Sequence, residues 1–296
     1  MIDRTRGRLL VLAAALIFSA GGAGIKACAL TPWQIASFRS GIAALVVWLL
    51  ASEARRNWSW RVVVAGLPYA ATVLLFVLAN RLTTSASTIF LQSTAPLYIL
   101  LVAPWLLRER NRGIDLAVMA LIVGGLALFF VGVEPPKRSA PNPVAGNLLA
   151  VLSGVAWALT IVSLRWLGRR GDDPRGSAAA AVVSGNLTAF LIGLPFALPV
   201  LAASALDWSL LAGLGVVQLG LGYVYLTRAA RHVPAFEMSV LLLLEPALNP
   251  VWALAVQGER PGIWSLLGGG VILAATVLKT WADSRSGPRA EARRSP

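Results

Sequence analysis

Long apolar runs alternate along the chain with short polar or charged connections. Ten runs come near the ~20 residues needed to cross a hydrocarbon core. They cover residues 9–26, 32–51, 62–80, 85–107, 114–132, 146–166, 178–201, 209–227, 235–256 and 262–282. This pattern predicts an all-α integral membrane protein with ten transmembrane helices. The connections are mostly short, so neighbouring helices are expected to run antiparallel. The opening MIDRTRGR and the run behind it have the outline of a signal peptide, with Ala27-Cys28-Ala29 where cleavage would fall. That run is too long for a signal-peptide core, and it is read as the first span.

Two runs carry polar interruptions at matching places. Leu241 to Arg260 reads LLLLEPALNPVWALAVQGER, and Ala95 to Arg110 reads APLYILLVAPWLLRER. Pro96 and Glu109 stand thirteen residues apart, as do Pro246 and Glu259, and Arg follows each glutamate. Aligning the first span with the sixth pairs Phe18 with Trp157 and Lys26 with Arg165. The register that pairs Pro96 with Pro246 also pairs Arg81 with Arg231. The chain therefore reads as two halves of five spans. Five is odd, so the second half enters the membrane from the opposite side: a 5+5 inverted repeat, as in many secondary transporters. The expected organisation is a first repeat over 1–133, an extracytoplasmic linker over 134–145, a second repeat over 146–282 and a disordered basic tail over 283–296. Because prolines remove donors inside a helix, bends are expected near Pro96, Pro246 and Pro250.

Composition narrows the function classes. The chain has 296 residues, 57% of them hydrophobic and only 13% charged, where a soluble domain is about a quarter charged. A net charge of +13 invites a nucleic-acid partner. The basic residues, however, sit in short clusters between apolar runs, as membrane loops do, so no nucleic acid is expected. Most clusters fall at the two termini and in the connections after spans two, four, six and eight. The other side holds Lys26, Arg81, Lys137, Arg138 and Arg260. The positive-inside rule then places both termini in the cytoplasm of a cell (inner) membrane protein. With one Cys and one His, no internal disulfide is possible and no metal or other cofactor is called for.

The candidate chemistry is inside the spans. Glu245 and Asn249 are four residues apart and share a helix face. A carboxylate near the midplane costs about 2.5–3.5 kcal/mol on insertion scales, which makes Glu245 a functional candidate. Its roles are a counter-ion for a substrate ammonium, a proton carrier, or a partner for backbone freed by the prolines. Gln92 and Gln218 are deep enough to bind substrate or to join two helices. Tyr69, Tyr98, Trp157 and Tyr223 offer apolar faces with one polar handle each, suited to a cavity wall or to helix packing. Arg39, inside span two, reads as a structural pair or cap. Glu109 and Glu259 read as loop ion pairs. Gly220 and Gly222 lie in an apolar span, not between a strand and a helix, so they support no dinucleotide site. No catalytic constellation appears, and the chain is not expected to be an enzyme.

The sequence resembles the drug/metabolite transporter superfamily in its ten-span form with two EamA-type repeats. Pro32 and Arg39 in span two carry the resemblance, with APLYILLVAPWLLRER, LLLLEPALNPVWALAVQGERPG, Gly124-Gly125 and Gly268-Gly269-Gly270. It covers residues 9 to 282. The resemblance implies a carrier in the lipid bilayer that exports small molecules, amino acids first among them. Nucleosides, sugar derivatives and cationic drugs are the rival solutes, and an intramembrane enzyme or scaffold is the rival class. The oligomeric state stays open, a monomer included.

Overall fold

A computed structural model describes residues 2–56, 58–106, 113–133, 135–168, 174–229, 232–233, 238 and 241–291. Among them, nine helices are long and apolar enough to cross a membrane: Thr5–Ala27, Pro32–Leu50, Trp60–Leu82, Ser85–Val102, Gly113–Val131, Pro143–Leu164, Ser177–Ala197, Ala205–Ala229 and Ile263–Ala282. A shorter helix, Leu244–Gln257, stands in ninth place, before the last of these. Glu109 and Arg231 lie outside the described residues.

Local chemistry sets the helix starts. Thr31 and Gln34 form a capping box around Pro32 at the head of span two. Ser59 caps span three, Thr84 caps span four, and Ser204 with Asp207 boxes span eight. The last helix continues to Glu291, where a tail was expected to begin at 283. A helix already nucleated gains one hydrogen bond for each residue it adds.

The outer and inner faces are those of a protein solvated by lipid. Large apolar side chains point outward, among them Leu45, Leu49, Val63, Leu67, Leu191, Leu266 and Leu267. The interior holds polar groups among its apolar core, including Ser37, Asn80, Thr88, Ser153 and Asn186. With no hydrophobic drive between helices in lipid, such groups and close backbone approach hold the spans together. A Cβ on Gly268 would sit 2.6 Å from the Gly125 carbonyl oxygen, and one on Gly185 2.7 Å from that of Gly66. Spans five and ten, and spans three and seven, therefore meet backbone to backbone.

The two halves pack on each other in exchange pairs. Span three lies against spans six and seven; span eight lies against spans one and two. Span four lies against span six, and the Leu244–Gln257 helix lies against span one. Span two meets seven, and five meets ten. Replacing each helix by its counterpart five places on maps these contacts onto themselves.

Among the described residues four elements are interrupted. The first span breaks between Ser19 and Gly21, and the fourth between Gln92 and Ala95. Span eight carries a stretch of wide, π-type turns over Gly213–Leu221. A turn at Leu243 precedes the helix that begins at Leu244. The bends expected at Pro96 and Pro246 thus fall just upstream of them. A proline ring collides with the carbonyl four residues back, at Gln92 and Leu242, and the break follows that residue.

Candidate functional site

The interruptions surround a cavity of about 260 Å³ between the two halves. Phe18, Phe76, Trp157 and Tyr223 wall it, and Arg39, Thr72, Gln92, Ser93, Gln218 and Glu245 supply its polar atoms. The fold ends differ. The end that carries the linker between the halves is called the linker face here, and the opposite end the termini face. Ile99, Ile161, Leu226 and Leu242 extend the lining toward the termini face.

Each polar group is set by its local backbone. The Gln92 amide donates to Ser153 Oγ at 2.8 Å, and Ser153 Oγ donates to the Thr72 carbonyl at 3.1 Å. This ties spans three, four and six at the wall. Gln218 comes from the π-type stretch of span eight, over Gly21, where a Cβ would sit 2.7 Å from its amide nitrogen. Its Oε1 is buried without a partner among the described residues. Tyr223 packs edge-on against Phe18 at 5.3 Å and Tyr69 at 5.4 Å between ring centroids.

Glu245 sits in the first turn of the Leu244–Gln257 helix. Among the described residues it makes no hydrogen bond or ion pair. The backbone beside Pro246 is closed without it, because the Ala247 amide donates to the Leu243 carbonyl at 3.3 Å. Its carboxyl group is therefore left to face the cavity.

The cavity gathers five of the eight residues expected there: Glu245, Gln92, Gln218, Trp157 and Tyr223. Three are placed elsewhere. Asn249, one turn beyond Glu245, faces span one and donates to the Ser19 carbonyl at 3.2 Å, an acceptor freed by the break after Ser19. Tyr69 is fully buried behind Tyr223 and accepts from Asn186 Nδ2 at 3.1 Å. Tyr98 lies beside Thr94, whose hydroxyl donates to it at 3.4 Å. Tyrosine hydroxyls inside a helix bundle take whatever partner is near, and here the neighbours are structural.

Arg39 is a cavity residue, not a structural pair or cap. It is 1% exposed, and its Nε and Nη1 have no partner among the described residues. One signal was available in the sequence. An Arg paired within its helix needs an acid three or four residues away, and Ile35, Ala36, Ile42 and Ala43 stand there.

Above the cavity the linker face is shut. Lys26 Nζ meets Glu259 Oε1 at 2.7 Å and donates also to the carbonyls of Thr83 and Ser139. Glu259 Oε2 accepts from the Ser85 amide at 2.9 Å. Gly258, at φ 65°, ends the Leu244–Gln257 helix and turns Glu259 back over it. The Glu259 amide then donates to the Ala253 carbonyl and the Gly258 amide to that of Leu254. Glu259 thus makes no loop pair with the arginine beside it but a buried pair with Lys26, which joins the two halves.

A polytopic helical protein with a cavity between two halves, closed over at the linker face, has the form of a membrane transporter. The model of the EamA-like transporter family matches residues 5–131 and again residues 144–281. The chain belongs to that family. It is 27% identical to the pseudopaline exporter of Pseudomonas aeruginosa over 92% of this chain and 94% of the exporter. It is 30% identical to an uncharacterized protein of the same species, over 94% of this chain and 97% of that protein. It is 25% identical to a biotin transporter of Salmonella typhimurium over 67% of this chain and 66% of that transporter. A solved crystal structure shares the fold, with a TM-score of 0.63 at 19% identity over 95% of this chain and 98% of that one.

Proposed function

We propose that this transporter exports small zwitterionic metabolites, amino acids foremost, across the cell membrane by alternating access. The observation that carries this reading is Glu245, a carboxyl group with no partner among the described residues, on the wall of a cavity between the halves. A substrate ammonium is the cation that would satisfy it, and the aromatic walls would take an apolar side chain. Relatives that move pseudopaline or biotin support a small-molecule cargo.

Both termini are cytoplasmic in this reading, so the shut linker face looks outward and the lining that extends toward the termini face points to the cytoplasm. The state is then the one that loads substrate from inside. Release requires the Lys26–Glu259 pair to part while the opposite end closes, with one half rocking against the other as inverted repeats do. The broken spans let that rocking occur around the site without unravelling whole helices.

Proteoliposomes loaded with each standard amino acid, radiolabelled, test the function. The expected result is efflux of a subset, those with large apolar side chains leading, well above empty liposomes. Efflux of none would overturn the reading.

A further inference from the structure

We infer that Arg39 forms an anion-binding subsite that takes the carboxylate of the substrate, at a point in the cavity separate from Glu245. The inference deepens the transport reading above and rests on it only for the identity of the cargo.

Arg39 enters from span two, at a place where span eight lies very close. A Cβ on Gly215 would sit 3.0 Å from the Arg39 carbonyl oxygen. The backbone is therefore fixed, and the long side chain reaches the cavity lining. Two of its nitrogens, Nε and Nη1, are buried and donate to nothing among the described residues. Five N–H donors in a fixed fork match an oxyanion with two acceptor oxygens. Removing such a charge from water without a partner costs several kcal/mol by ordinary electrostatics, and the neighbours do not remove that cost. Among the described residues Tyr69 and Tyr223 stand near enough to act on the guanidinium, and Tyr223 near enough to act on Glu245.

Glu245 lines the same cavity, yet the two charges do not pair with each other. Among the described residues each is left without a partner, and Tyr223 lines the cavity with both. A direct Arg–Glu bridge would satisfy both and leave an inert cavity. A ligand with an ammonium and a carboxylate at separate ends satisfies both and fills it. A ligand with one charge leaves the other uncompensated, which makes the pair a selector for zwitterions.

Three indole probes separate the two ends: L-tryptophan has both charges, tryptamine only the cation, and indole-3-propionate only the anion. Their affinities for the purified full chain are measured by calorimetry in the wild type, Arg39→Gln, Arg39→Lys and Glu245→Gln. Wild type should prefer L-tryptophan to either relative by about ten-fold or more, the scale of one charged hydrogen bond. Arg39→Gln should weaken L-tryptophan and indole-3-propionate by that factor and leave tryptamine unchanged. Glu245→Gln should weaken L-tryptophan and tryptamine and leave indole-3-propionate unchanged. If Arg39→Gln does not fold, Arg39→Lys keeps the charge but loses the fork, and should show the same selective loss in smaller measure. Arg39-dependent binding of indole-3-propionate without any binding of L-tryptophan would sustain the subsite and refute the amino-acid reading. The subsite is overturned if a folded Arg39 variant binds indole-3-propionate as the wild type does, or weakens all three probes alike. It is overturned equally if the wild type binds neither indole-3-propionate nor acetate.

Discussion

Lys26 Nζ and Glu259 Oε1 lie 2.7 Å apart, with side chains 6% and 1% exposed, although 233 residues separate them in the chain. Each uses its remaining capacity on the same closure: Lys26 on two carbonyls, Glu259 on the Ser85 amide. Taking one partner from a buried pair costs about 3–5 kcal/mol, because the other is left charged and alone. In a transporter that cost falls on the closed state alone, so it shifts the balance between states.

Glu259→Gln should therefore open the linker face, by a factor on the order of 100 in the closed-to-open ratio. The measurement is labelling of Ser85→Cys in a Cys28→Ala background by an impermeant maleimide added outside. Slow labelling with Glu259 in place and at least ten-fold faster labelling with Gln is expected. Equal rates would mean that the pair does not lock this face.

Asn249→Ala should behave as a structural change. It removes the donor to the Ser19 carbonyl, and an unsatisfied buried acceptor costs about 1–3 kcal/mol. The thermal midpoint in detergent should fall by several degrees while substrate affinity in the folded fraction stays within about two-fold. A ten-fold affinity loss with an unchanged midpoint would return Asn249 to the binding site.

Gly268→Ala tests the join between spans five and ten. The new Cβ would press on the Gly125 carbonyl at 2.6 Å, and backbone must move to admit it. Overpacking of this kind costs about 1–3 kcal/mol. The expected outcome is a lower thermal midpoint, read by a thermal-shift assay. Gly270→Ala, whose Cβ would meet nothing within 4 Å, should leave it unchanged.

The orientation is tested by reporters fused after Pro296. A cytoplasm-active reporter should be active there and a periplasm-active one silent, because most Lys and Arg of the connections share that side. The opposite result would invert the proposed direction of the cavity.

Hydropathy made most of the fold legible, because a spanning helix needs a fixed length of apolar chain whatever it packs against. The boundaries moved by a few residues, as at Thr5–Ala27 against an expected 9–26. Proline made two of the four interruptions legible, displaced by one turn through the clash with the fourth residue back. The other two fall on glycines, Gly21-Gly22 and Gly213 to Gly220, which permit a bend without requiring one. Ser19 ends its helix with its carbonyl taken by Asn249 and its hydroxyl by Trp252, partners supplied by the other half of the chain. Glu245 stood out because a carboxyl group in an apolar run is costly wherever it points. Arg39 is equally costly, but whether it pairs or faces a cavity depends on tertiary neighbours. Tyr69, Tyr98 and Tyr223 look alike in sequence, and only the packing decides that Tyr223 alone lines the cavity.

The measurement that bears most directly on the account is counterflow in proteoliposomes with Glu245→Gln. The amide keeps the shape of the side chain and its ability to hydrogen-bond, and removes the charge that is to hold the substrate ammonium. The probe is the labelled amino acid that the wild type moves fastest. The variant should insert with the wild-type thermal midpoint and need at least about ten-fold more substrate for half-maximal counterflow. A well-folded variant with wild-type rate and half-saturation would contradict the claim that Glu245 marks the substrate site.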